Sequence, residues 1–309
     1  MIRIQKGKPV IDQHDKNYLY AGKFGGNFVP ETLKKPIDDL TKLFNKLRKD
    51  KKFIKERDYY FKNFAKTPTP FIKLYNLSHQ LGGAQIYAKV VSQANGGAHK
   101  IYNAIVHALI CKRAGKKIII GDTGAGFAGK MLSMAAKKFG LKCKIFMGTK
   151  DMARQKPNCD AIRANGAEIV PVDSGSKTLV DAVSECMRYW VSNCDKVHLA
   201  IGSTVGPNIF IKICGWSTAQ ISRELVIDLK KEFGKSFLMK PFVSKNQLVL
   251  FLYSNDIFEL DSVTQKIRTS KGVGSADLFI PKKILFQHQW MSSAIREAKS
   301  SDRLHLAYH

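Results

Sequence analysis

Lys100 stands in the run Gly96-Gly97-Ala98-His99-Lys100-Ile101-Tyr102-Asn103, with small residues before an amine and an amide just after it. An amine in that setting can attack an aldehyde: the glycines let a flat cofactor approach the backbone, and Asn103 offers a polar partner. In a chain with 51 lysines and arginines, the same run also reads as an exposed lysine in a turn. A second run adds support. Ile118-Ile119-Ile120-Gly121-Asp122-Thr123-Gly124-Ala125-Gly126 ends an apolar strand on an acid and opens a helix through a glycine turn. Functional groups of parallel α/β folds collect at that end of their strands, and N–H groups of such a turn can hold a carboxylate. The spacing permits Asp122 and Lys100 to face one pocket, although a tight strand-to-helix connection has the same appearance. Two further loops, Gly202-Ser203-Thr204-Val205-Gly206-Pro207 and Phe24-Gly25-Gly26-Asn27-Phe28-Val29-Pro30-Glu31-Thr32-Leu33, read alone as a turn and as the cap of a first helix.

The elements that must position these groups alternate. Apolar residues at Leu33, Ile37, Leu40, Leu43, Phe44 and Leu47 predict a helix over 33–51 with Pro36 in its first turn. A second helix follows over 58–64 and ends at Thr67-Pro68-Thr69-Pro70. Strands are predicted over 85–91, 117–120, 142–147, 167–172 and 247–253, and helices over 102–113, 127–139, 153–165 and 178–191. Almost wholly apolar strands such as 117–120 fit a parallel sheet covered on both faces, and the alternation argues for right-handed α/β crossovers. The pattern weakens from about 237, and the tail after 266 has no clear period.

Composition narrows the classes. A 309-residue chain that is 44% hydrophobic can build a large core and about two domains. It has no apolar run of membrane-spanning length, and its charged N-terminus has no signal-peptide core, so the cytoplasm is the expected location. The six cysteines form no Cys-x-x-Cys pair and suggest neither a metal site nor a disulfide framework. The net charge of +26 would attract acidic partners. It is spread along the chain and rests mainly on lysine, without a nucleic-acid-binding motif, so specific nucleic-acid binding is not expected.

Taken in order, the four runs resemble the β subunit of tryptophan synthase. The resemblance extends from about Tyr20 to about Lys235. It includes Gly97-Ala98-His99-Lys100, then Met147-Gly148, Asp151, Arg154-Gln155, Asn158, Gly166-Ala167-Glu168, Ser174-Gly175-Ser176, Thr178-Leu179, Asp181-Ala182 and Trp190. It implies an α/β, two-domain, fold type II pyridoxal-phosphate enzyme with mostly parallel sheets flanked by helices. The implied N-terminal domain is 1–65 plus 99–217, with a mobile communication segment at about 115–200. The implied C-terminal domain is 66–98 plus 218–309 and incomplete. The implied cofactor is pyridoxal 5'-phosphate, bound covalently by Lys100 and contacted by His99, Ser203 and Asn246. Asp122 takes the position of the catalytic acid, and Thr123, Gly124, Ala125 and Gly126 that of the substrate-carboxylate loop. The implied substrates are L-serine and indole, and the implied partners a tryptophan synthase α subunit and a second copy of the chain.

The chain also departs from the pattern. Asp122 replaces a glutamate, withdrawing the carboxylate by about 1.5 Å, and a displacement of that order can cost about 100-fold in rate. Phe127 and Ala128 stand where the family has glutamine and histidine, and Val90, Val91 and Ser92 replace a charged run. In Phe242-Val243-Ser244-Lys245-Asn246-Gln247, only Asn246 matches the family's glycine-rich phosphate loop. The later family motifs are scattered or absent before His309, so the serine facing the pyridine nitrogen is expected to be missing.

Overall fold

The helix that begins at Lys100 is apolar on nearly every side, and residues Ile101 to Cys111 are all buried. A helix of that kind has to lie inside a domain. The computed structural model describes residues 14–15, 18–20, 24–25, 29–81, 85–202, 207–233 and 248–252.

In chain order the elements are β1 (Leu19–Tyr20), β2 (Phe24–Gly25), α1 (Glu31–Leu47), α2 (Lys51–Asn63), β3 (Phe71–Lys73), α3 (Tyr75–Leu81) and β4 (Gln85–Lys89). They continue with α4 (Lys100–Arg113), β5 (Ile118–Asp122), α5 (Phe127–Phe139), β6 (Lys142–Gly148), α6 (Thr149–Arg154), α7 (Lys156–Ala164) and β7 (Glu168–Val172). The last are α8 (Leu179–Asn193), β8 (Val197–Ala200), α9 (Asn208–Phe233) and β9 (Leu248–Leu252). The chain divides into two compact units, Met1–Pro68 with Ala94–Gln220, and Thr69–Gln93 with Ile221–His309.

The first unit holds a four-stranded parallel sheet in the order β7-β6-β5-β8. The chain steps from β5 to β6 to β7, then returns past β5 to β8. With right-handed crossovers, that reversal sends α8 to the opposite face from α5 and α7. The interior strands β5 and β6 bury Ile119, Ile120, Ile145, Phe146 and Met147, as strands covered on both faces must. Between β5 and β8 the connections diverge, which opens a crevice at their carboxyl ends.

The second unit holds the sheet β3-β4-β9, antiparallel between β3 and β4 and parallel between β4 and β9. Its Lys89 is fully buried and gives its Nζ to the Thr69 carbonyl (2.6 Å), Asp228 (2.7 Å) and Glu224 (2.9 Å).

Several local expectations are corrected. The helix predicted over 33–51 ends at Leu47, and the one predicted over 58–64 begins at Lys51, because the Asp50 carboxylate accepts from the Lys52 N–H at 2.8 Å and starts α2 there. Pro36 lies inside α1 rather than in its first turn, and Pro30 at the N-cap makes no side-chain capping bond. The segment 153–165 breaks at Gln155, whose backbone leaves the helical region, into α6 and α7, and Pro157 sits in the first turn of α7, where its missing N–H is not needed. The sequence reading assigns no element to 208–233, which is the 26-residue α9. Its buried Ile209, Phe210, Ile213, Cys214 and Leu225 are interrupted by Gly215, Ser217 and Thr218, which blur the apolar stripe. The phosphate-loop segment and the tail after 252 lie outside the described residues.

Candidate active site

Lys100 is the first residue of α4, and the loop before it is shaped by close packing. Gly96 and Gly97 have φ of 88° and 90°, a region that favours glycine. A Cβ on Gly96 would lie 2.5 Å from Sδ of Met131 on α5. His99 caps α4 with helical backbone and no side-chain capping bond.

From Lys100 the helix presents Asn103, Ala104 and His107 at the third, fourth and seventh positions onward, one face of an α-helix. Those four residues line a cavity together with Asp122 at the end of β5, Ala128 and Leu132 of α5, Ala200 of β8, and Gly202. The cavity sits in the crevice between β5 and β8. Its volume is about 20 Å³, room for about one water.

Two titratable groups in this cavity are displaced in opposite senses. Burial lowers the pKa of Lys100, and the neighbouring Cys214 and Asp122 only partly offset it. Burial also pushes Asp122 up to about 6, against the pull of its own backbone N–H and of Lys100. A lysine made less basic beside a carboxyl made less acidic is the arrangement expected of a base and an acid working near neutral pH. The Lys100 Nζ donates to the Gly202 carbonyl at 3.1 Å. Asn103 lines the cavity, but its amide is engaged: Nδ2 donates to the Ile201 carbonyl at 3.0 Å, and Oδ1 accepts from Ser217 Oγ at 3.2 Å.

The loop after β5 faces elsewhere. Thr123 is buried, and its N–H bonds to the Phe146 carbonyl at 3.0 Å. Gly126 has φ of 91°, and its Cβ position would fall 2.4 Å from Cβ of Asn158, whose amide donates to the Ala125 carbonyl at 2.8 Å. Gly124 and Ala125 border a wider cleft of about 390 Å³ with Asp151, Arg154, Gln155, Thr178 and Leu179.

The structure thus brings Lys100 and Asp122 into one cavity, while Gly124 and Ala125 line the neighbouring cleft. His99 is half-buried beside Lys100 and is not part of the cavity wall. Ser203 and Asn246 lie outside the described residues. Sequence reasoning missed His107, although its seven-residue spacing from Lys100 was the available signal.

The donor set fits the aldehyde end of pyridoxal phosphate. It offers a half-buried amine of lowered basicity, hydrogen-bonded to the Gly202 carbonyl and flanked by a carboxyl group.

Residues 63–210 match the family described as pyridoxal-phosphate dependent enzyme. A tryptophan synthase beta chain of Bacillus pumilus (strain SAFR-032) is 42% identical over 214 residues, covering 69% of this chain and 54% of its own length. The chain therefore spans about half the length of that relative. Among solved structures, apo diaminopropionate ammonia lyase of Escherichia coli is similar with a TM-score of 0.48 and 18% identity, over 68% of this chain and 56% of that one. A pyridoxal 5'-phosphate-dependent aspartate racemase is similar with a TM-score of 0.44 and 15% identity, over 69% and 66%. The long match at 42% identity and the matched domain, which spans Lys100 and Asp122, show that the chain carries a pyridoxal-phosphate dependent enzyme domain and is a relative of tryptophan synthase β chains.

Proposed function

We propose that this protein catalyses the β-replacement reaction of tryptophan synthase β chains, condensing L-serine with indole to L-tryptophan. The observation that carries the reading is the shared cavity of Lys100 and Asp122, in a chain 42% identical to a tryptophan synthase beta chain. Pyridoxal phosphate, when bound, supplies an aldehyde and a conjugated ring that draws electrons from the substrate's α-carbon.

The protein's own groups divide the remaining work. Burial keeps a larger share of the Lys100 amine unprotonated, so its Nζ can form the covalent link and take the α-proton of serine. Asp122, raised to about 6, keeps a proton in about a tenth of the molecules at pH 7, and in that form it can deliver it to the departing serine hydroxyl. The backbone of Thr123, Gly124, Ala125 and Gly126, at the start of α5, receives the substrate carboxylate. His99, Ser203 and Asn246 are assigned to the cofactor. An α subunit docks on the segment from Met147 to Trp190, and the chain pairs with a second copy of itself.

A second reading is a slow or inactive relative that keeps the scaffold. Two features favour it: the Asp122 carboxylate reaches about 1.5 Å less far than a glutamate's, and Ala128 lines the cavity where the family has histidine.

One cuvette separates the two. Folded protein mixed with pyridoxal phosphate is expected to show the visible absorbance of lysine-bound cofactor, and Lys100→Ala to lose it. Serine and indole then yield tryptophan under the first reading and none under the second. Folded protein without the visible band sinks the first reading and leaves an inactive scaffold.

A further inference from the structure

Behind Lys100, on the same face of α4, lies a pair of histidines with no part in the chemistry above. His107 Nδ1 and His198 Nε2 are 2.9 Å apart, one ring on α4 and the other on β8, and both are buried. Three residues beyond His198, the chain reaches Ile201 and Gly202, whose carbonyls accept from Asn103 and Lys100. α4 and the end of β8 are therefore joined by three side chains spaced over two helical turns, and the outermost of them is the reactive amine.

Two neutral imidazoles joined by one hydrogen bond carry a single proton between the bonded nitrogens. Burial holds His107 down to about 3 and His198 well below the ordinary histidine range, with the Lys116 charge adding to the effect on His198. The remaining His107 nitrogen, Nε2, is buried and makes no full hydrogen bond among the described residues. The acceptor acting on this ring is the Ile201 carbonyl, which offsets part of the burial effect as an acceptor opposite an N–H does.

We infer that the His107–His198 pair positions Lys100: His198 Nε2–H donates to His107 Nδ1, which leaves the His107 Nε2–H turned to the Ile201 carbonyl and keeps the Ile201–Gly202 segment against the amine. Removing the pair lets that segment relax, admits water to Lys100 and raises its basicity. The other titratable groups facing Lys100 are Asp122 on β5 and Cys214 on α9, and neither is altered by changes at His107. The inference rests on Lys100 as the reactive amine, but its test does not require bound cofactor.

The test has two readouts on the full chain. In protein carrying ¹⁵N-labelled histidine, His107 is expected to hold its proton on Nε2 and to stay neutral from pH 8 to pH 5. The pH profile of Lys100 acetylation by acetic anhydride, read by mass spectrometry, is expected to move up by about one unit in His107→Leu, which is about tenfold less free amine at neutral pH. His107→Gln, whose side-chain NH₂ replaces the Nε2–H, is expected to restore the parent profile. If His107→Leu does not fold, His198→Phe decides, since it removes the donor that sets the His107 tautomer. A proton on His107 Nδ1, or a folded variant with an unshifted Lys100 profile, overturns the inference. Failure to capture pyridoxal phosphate while both readouts hold overturns the proposed function alone.

Discussion

The amine of Lys100 and the carbonyl of Gly202 lie 3.1 Å apart, tying the start of α4 to the chain leaving β8. That contact places the amine at the point where the parallel sheet reverses its order, with Asp122 at the end of the adjacent strand. The amine and the acid are thus held by backbone elements rather than by a loop, which limits their freedom to drift apart.

Asp122 should lower stability at neutral pH. Its carboxyl ionises near 6 in the folded protein and near about 3.9 when unfolded. The folded state therefore binds more protons across that window, and stability falls as pH rises from about 4 to about 6. Asp122→Asn removes the buried charge and is expected to stabilise the protein by about 2–3 kcal/mol at pH 7.5, with the difference fading towards pH 4. Denaturant titrations at the two pH values measure it. The same variant should abolish tryptophan formation, while Asp122→Glu should raise it by about 10–100-fold by restoring the carboxylate's reach.

The histidine pair gives stability of the opposite sign. His107 ionises near 3 when folded and near about 6.5 when unfolded, and His198 is shifted in the same direction. The unfolded chain binds the extra protons, so their contribution is whole above about pH 6.5 and is lost as pH falls below it. Near pH 5 the pair takes up about two protons on unfolding, against about one released by Asp122, and calorimetry in buffers of different ionisation enthalpy is expected to show the net uptake falling by about one proton in His107→Gln.

Two glycines separate steric from conformational cost. Gly148 has ordinary extended backbone, but a Cβ there would lie 2.1 Å from the Lys177 carbonyl oxygen. Gly140 has φ of 67° and open space around its Cβ position. Gly140→Ala should cost about 1–2 kcal/mol from backbone strain alone. Gly148→Ala should cost more than about 3 kcal/mol, because two backbone segments must part. Equal unfolding midpoints for the two variants would contradict this.

In the second unit, Lys89→Met should be severely destabilising. It leaves the buried Glu224 carboxylate without its 2.9 Å cation and Asp228 without its 2.7 Å one. Breaking such a cluster from one side costs about 3–5 kcal/mol. Hydrogen exchange of β4 measures the loss.

The amino-acid sequence by itself determined the parallel α/β core, the strand that ends on Asp122 and the turn that opens α5. Each is written in neighbouring residues: an apolar run, an acid, and glycines where the chain must turn. Lys100 was legible too, because glycines that let the chain approach α5 stand directly before it. Tertiary structure alone decided which groups meet. Asn103, readable as a partner for a ligand, is bonded to Ile201 and Ser217, residues about a hundred positions away. Gly124 and Ala125, adjacent in sequence to Asp122, line a different cleft. His107 and His198, 91 residues apart, become one buried unit, and no local pattern announces it. Helical and strand periodicity are properties of near neighbours, whereas burial, and with it the altered acidity of Lys100, Asp122 and the two histidines, exists only once distant segments exclude water together.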